Sequence, residues 1–121
     1  MRLASHSQLW AATARTISRL RESWALNTAI LEAIASDCNQ QGVPVLFVRL
    51  PEKESKPSEP LADFFRSRGL PFIDIPARPL PKDIHFTWDS HINAKGHALV
   101  ADAITDWIKQ SASITKRNGL F

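Results

Sequence analysis

The sequence predicts an α/β fold built on parallel strands, and two observations carry that prediction. The segment Val43-Pro44-Val45-Leu46-Phe47-Val48-Arg49-Leu50 is almost continuously apolar, short and β-branched. That pattern belongs to a strand buried on both faces, the parallel-sheet kind. It is followed by a short helical pattern, Leu61 to about Arg68, and by a second apolar run, Pro71-Phe72-Ile73-Asp74-Ile75-Pro76. Strand, helix and strand in so few residues make a βαβ unit, expected to be right-handed.

Two helices are expected before the first strand. From Leu3 to about Leu20, Leu9, Ala12, Thr16 and Leu20 recur at helical intervals, with Trp10 and Ile17 alongside and Ser5 or Ser7 placed to cap the start. From about Trp24 to Gln41, Leu26, Ile30, Ile34 and Cys38 repeat every four residues and define the expected buried stripe. Gly42 suits a left-handed cap. Pro44 lies where a strand tolerates a missing N–H. Pro51 to Pro60 is a polar loop, and the short helix after it turns Leu61, Phe64 and Phe65 inward before Gly69. A Pro-rich connection, Pro76 to Pro81, precedes a last helix from Ala94 to about Gln110 that buries Val100, Ile104, Trp107 and Ile108. From Ser111 the chain turns polar, and residues 113–121 read as a frayed tail.

Composition narrows the classes. The chain has 121 residues, enough for one small domain, with a net charge of +3. Arg15, Arg19 and Arg21 near the start and Lys116-Arg117 in the tail are too thin for a nucleic-acid footprint and read as solvated surface. Cys38 is the single cysteine, so no internal disulfide forms, and its spacing makes it a core thiol. No run is long and apolar enough for a membrane span, and the first residues are not a secretory signal, so the compartment defaults to the cytoplasm.

The chemistry-bearing stretch is Phe86-Thr87-Trp88-Asp89-Ser90-His91-Ile92-Asn93-Ala94-Lys95-Gly96-His97. It reads as a loop that runs into a helix start. Asp89 and His91, two residues apart, can point the same way in an extended loop. Asn93 is the N-cap candidate and Gly96 marks a close approach. A carboxylate beside an imidazole, held against a helix start, is how a catalytic histidine is oriented. Bland roles compete with this one: a lone His commonly caps or hydrogen-bonds locally, and a loop Asp commonly satisfies backbone N–H groups. Asp83-Ile84-His85 is a second Asp-x-His, but no cap follows it, so it reads as exposed with His85 at a rim. His97 lies in the first helical turn and Ser90 points away from a converging pair. His85, Asp89, His91 and His97 match no compact metal-site spacing.

Asp-x-His-x-Asn-x-x-Gly-His leading into an amphipathic final helix resembles the last block of the SGNH (GDSL-type) hydrolases. "GVPVLFVRLP", a helix and "RGLPFIDIP" resemble that family's last two strands, and "SHSQLW" is similar to the helix after its central block in some branches. The resemblance implies a flavodoxin-like three-layer α/β/α fold of which residues 1–112 form the C-terminal part, with the N-terminal half missing. It implies His91 as general base, Asp89 as its orienting carboxylate, a small acylated substrate (an ester or an O-acetylated sugar) and no cofactor. The family's serine and oxyanion blocks are not in this sequence: there is no Gly-Asp-Ser after a strand, no Gly-x-Asn-Asp and no Gly-x-Ser-x-Gly elbow. The commoner family spacing is Asp-x-x-His. The one-residue gap here resembles variants among SGNH-like esterases and polysaccharide O-acetyltransferase-like members, which leaves hydrolysis and acyl transfer both open.

A strand apolar on both faces calls for strand neighbours along both edges, and this sequence offers it one. The expected consequences are an N-terminal half elsewhere, or a partner chain that completes the sheet, with marginal stability or self-association until one is supplied. A non-catalytic remnant or binding module is the alternative reading.

Overall fold

A computed structural model describes residues 6–54 and 58–117. The chain divides into two compact units, Met1–Val45 and Leu46–Phe121.

Among the described residues the first unit holds one helix, α1 (His6–Gln40). Two helices were expected here, but Arg21-Glu22-Ser23 contains neither Gly nor Pro, so nothing interrupts the backbone ladder. Ser5 lies outside the described residues, and Ser7 falls inside the helix, so it does not cap it. α1 ends as expected. Gly42 takes φ +67°, its N–H donates to the Asn39 carbonyl at 3.1 Å, and the Val43 N–H donates to the Cys38 carbonyl at 2.8 Å. These are the two bonds of a Schellman cap. The expected buried stripe is not buried: Leu26 is 62% exposed, Ile30 and Ile34 are exposed, and Cys38 is half-buried. Ala35 alone is buried on this helix among the residues whose exposure is described.

The second unit is α/β. Its order is β1 (Phe47–Arg49), α2 (Glu59–Ser67), β2 (Phe72–Asp74), a 3-10 turn (Ile75–Ala77) and α3 (Ala94–Arg117). β1 and β2 pair in parallel, with Phe47 beside Phe72, Val48 beside Ile73 and Arg49 beside Asp74. The expected βαβ connection is therefore present, with both strands trimmed to three residues. Side-chain alternation gives each face of this ribbon its own partner. Phe47 and Phe72 meet Phe65 of α2, with ring centroids at 4.9 and 4.3 Å, and Phe64 adds an edge contact to Phe65 at 5.1 Å. On the other face Val48 and Ile73 join Ile75, Ile92, Val100 and Ala103, so α3 covers that side. Arg49 and Asp74 close the last rung with an ion pair at 3.2 Å, and Asp74 also accepts the Ser58 N–H at 3.3 Å.

The first strand is less buried than its apolar pattern predicts. Phe47, Val48 and Arg49 are all half-buried, because in a sheet of two strands each strand is an edge. In α3 Val100 is buried, Ile104 and Trp107 are half-buried, and Ile108 is exposed. α3 runs on to Arg117, past the Gln110 boundary and into the segment expected to fray. Among the described residues no helix is long and apolar enough to cross a membrane.

The burial contrast gives a stability prediction. Phe65→Ala, at the centre of the aromatic cluster, removes about 3–5 kcal/mol in urea denaturation of the chain. Leu26→Ala on α1 stays within about 0.5 kcal/mol of the parent. Equal losses at the two positions would contradict the assignment of the core.

Candidate functional site

The site is assembled from a hairpin clamped onto the start of α3. Residues His85 and Ile92 form an antiparallel bridge. The Phe86 N–H donates to the His91 carbonyl at 3.1 Å, and the Asn93 N–H donates to the Ile84 carbonyl at 2.9 Å. Ile84 and Ile92, on the stem, are buried, so the hairpin is anchored by apolar side chains at its base and open at its tip.

Asn93 performs the expected capping and more. Its Oδ1 accepts the Gly96 N–H at 3.1 Å, and its carbonyl accepts the His97 N–H at 2.9 Å, which starts α3. Its side-chain amide also donates to the carbonyls of Asp83 at 2.9 Å and His85 at 3.1 Å. One side chain thus holds both the helix start and the strand before the hairpin. Gly96 permits the close fit: a Cβ there would lie 2.5 Å from the Ile84 carbonyl oxygen and 2.7 Å from the Ile92 Cβ. Lys95 adds an ion pair to Asp83, and that hydrogen bond holds the Asp83 carboxyl below its ordinary 3.8.

At the tip, the two residues singled out in the sequence meet. His91 Nδ1 lies 2.6 Å from Asp89 Oδ1, and the His91 backbone N–H donates to the same oxygen at 3.1 Å. The ionised carboxylate only accepts, so Nδ1 carries the proton and Nε2 is left as the basic nitrogen of the neutral ring. The hydrogen bonds from the His91 ring and then from its backbone N–H lower the Asp89 carboxyl below 3.8. The His91 side chain is 81% exposed. Nε2 is therefore presented to whatever lies outside the hairpin. Trp88, 82% exposed, stacks on Phe86 at 5.3 Å beside the pair.

The remaining polar candidates separate from this pair. His85, expected at an exposed rim, is half-buried, and its Nε2 bonds the Pro51 carbonyl at 3.1 Å. Lys53 Nζ donates to the Thr87 carbonyl at 3.2 Å. The loop after β1 is thereby tied to the hairpin, an arrangement no local signal could announce because 34 residues separate each pair. A cleft of about 700 Å³ runs between these loops, lined by Glu52, Lys53, His85, Phe86, Thr87 and Asn93 among others, and neither Asp89 nor His91 lines it. His97 and Ser90 are exposed. No group of three or more His, Cys, Asp or Glu that could hold a metal ion occurs among the described residues.

Chemically, the pair can orient an imidazole, accept a proton at Nε2 and stabilise the resulting imidazolium. Two measurements test this geometry. In a carbon-detected NMR titration Asp89 has its midpoint below 3.8, and His91→Ala moves that midpoint back toward 3.8 because the principal donor is gone. The hydrogen bond is accordingly intact above the ordinary carboxylate range and lost as the pH falls through the lowered value. An unchanged midpoint in the variant would contradict the pairing. Gly96→Ala, favourable in an isolated helix by about 1 kcal/mol, here destabilises by about 1–3 kcal/mol through its clash with Ile84 and Ile92, read by thermal melting. Comparison with protein-family models, with curated proteins and with solved structures gave no match for this chain.

Proposed function

We propose that the chain is the C-terminal part of an SGNH-type serine ester hydrolase domain, in which it supplies the catalytic base and its orienting acid. The observation that carries the reading is the Asp89–His91 hydrogen bond at 2.6 Å, set on a helix-capped hairpin with the opposite ring nitrogen open. Two further features support it. The hairpin follows β2, and its ties to Pro51 and Lys53 bring it beside the loop that follows β1, so it lies with the carboxyl-end loops of the parallel pair, where open α/β sheets bind ligands. The small ribbon between α2 and α3 is also a reduced version of the three-layer arrangement that the family resemblance implies.

In this reading a serine on the missing half gives its Oγ proton to His91 Nε2 as Oγ attacks the acyl carbon of an ester. The tetrahedral intermediate then expels the alcohol, which takes the proton back from His91, and the acyl group stays on the serine. Water, or a second hydroxyl in acyl transfer, repeats the sequence in reverse, with His91 again the base. Asp89 keeps the ring in the tautomer that both halves need and balances the positive charge while the proton resides there. Oxyanion donors come with the serine's half of the domain. The substrate is a small acyl ester, an O-acetylated sugar among the possibilities that the family resemblance implies.

The absence of a Gly-Asp-Ser segment from the 121 residues favours a second reading, a non-catalytic module that completes its sheet with a partner. A fluorophosphonate probe applied to the native polypeptide that carries this sequence separates the two. The hydrolase reading expects one labelled serine outside residues 1–121, and a loss of about 100-fold or more in labelling rate with His91→Ala. The 121-residue chain alone then hydrolyses p-nitrophenyl acetate no faster than buffer. No labelling of the native polypeptide would favour the module, and His91-dependent turnover by the isolated chain would contradict the assignment of the nucleophile.

A further inference from the structure

The tip of the hairpin carries an aromatic surface that neither the core nor the Asp89–His91 hydrogen bond uses. Phe86 covers one face of Trp88, with ring centroids 5.3 Å apart and an interplanar angle of 28°. Trp88 is nevertheless 82% exposed, so its other face is open. The ring is also held at both ends of its backbone. The Thr87 carbonyl before it accepts Lys53 Nζ, and Asp89 after it is bonded to His91. His85 and Ile92 form the antiparallel bridge, so Phe86 and His91 are the next rung toward the tip, joined by the Phe86 N–H and the His91 carbonyl. Residues directly opposite share a face of a two-stranded ribbon. A molecule seated on Trp88 thus lies on the side of the hairpin that presents the open Nε2 of His91.

The space beyond Phe86 indicates the chemistry of that molecule. Phe86 lines the cleft of about 700 Å³ between the hairpin and the loop after β1. Small-molecule sites occupy about 300–1,000 Å³. The charged lining is balanced, with Glu52 and Asp83 against Lys53 and Lys82. An anionic or a cationic ligand would meet as many like charges as opposite ones. A long acyl chain would strip water from all four groups and return no hydrogen bond. A ligand with an apolar face and a rim of hydroxyls suits both surfaces. The C–H face of a pyranose lies against the electron-rich face of an indole, while its hydroxyls donate to carboxylates and accept from ammonium groups.

We propose that Trp88 and the cleft beyond Phe86 bind a neutral saccharide, one ring stacked on Trp88 and its neighbour in the cleft. Resting on the ester-hydrolase reading, the saccharide is then the alcohol side of the ester, and its O-acyl group faces His91. Trp88 selects the substrate, and His91 takes and returns the proton.

Fluorine NMR of the native polypeptide that carries this sequence tests the platform. The protein is labelled with fluorotryptophan, and Trp88→Phe assigns the resonance. The probes are three neutral trisaccharides: xylotriose, cellotriose and tri-N-acetylchitotriose. At least one of them is expected to shift the Trp88 resonance saturably at millimolar concentration, and phosphatidylcholine vesicles are expected not to. By calorimetry Trp88→Ala raises the dissociation constant for that trisaccharide about 10-fold. The side chain is exposed, so the variant keeps the fold. A resonance moved by none of the three, or by vesicles alone, overturns the proposal, as does an unchanged dissociation constant in Trp88→Ala. Fluorophosphonate labelling is a separate readout. Saccharide binding without a labelled serine removes the ester and keeps the saccharide site. A labelled serine without saccharide binding removes the saccharide site and keeps the hydrolase.

Discussion

The side chain of Asn93 is the point on which the site depends. Its Oδ1 satisfies a backbone donor that α3 would otherwise leave open, and its amide satisfies two carbonyls of the segment that enters the hairpin. A helix start and a strand cannot both be held this way unless they approach closely, and the approach is possible because residue 96 has no side chain. The buried Ile84 and Ile92 then fix the stem from below. What remains free is the tip, and the tip carries Asp89 and His91. The rigidity of the base and the openness of the tip thus have one origin.

The ribbon beneath the hairpin shows the opposite economy. Phe47 and Phe72 use one face against α2, and Val48 and Ile73 use the other against α3. A strand with apolar side chains on both faces is suited to the interior of a wider sheet, yet each strand here has a single neighbour among the described residues. The sequence pattern of an interior strand and the half-burial of an edge strand are in conflict. Further strands alongside β1 or β2 would resolve it, and the proposed hydrolase domain supplies them together with its serine.

Much of the second unit was legible from the chain. The parallel pair, the crossover helix with Phe64 and Phe65 inward, the Asn93 cap and the Asp89–His91 approach all follow from signals within a few residues of one another. Where sequence reasoning went astray, the deciding contact was remote or missing. Leu26, Ile30 and Ile34 have the spacing of a buried stripe, but periodicity identifies an apolar face and not whether anything covers it. The expected boundary between two helices, near residues 21–23, holds no Gly or Pro, and without one the backbone ladder of α1 is not broken. His85 reads as a rim residue because no cap follows it, and the partner that half-buries it, the Pro51 carbonyl, lies in another loop.

The most direct measurement is the intact mass and N-terminal sequence of the natural polypeptide that contains these 121 residues. The proposed domain requires a mass well above 13.5 kDa, with a strand followed by Gly-Asp-Ser among the added N-terminal residues. A natural polypeptide of 13.5 kDa would contradict it, and the Asp89–His91 pair would then be a structural feature of a chain that completes its sheet with another protein.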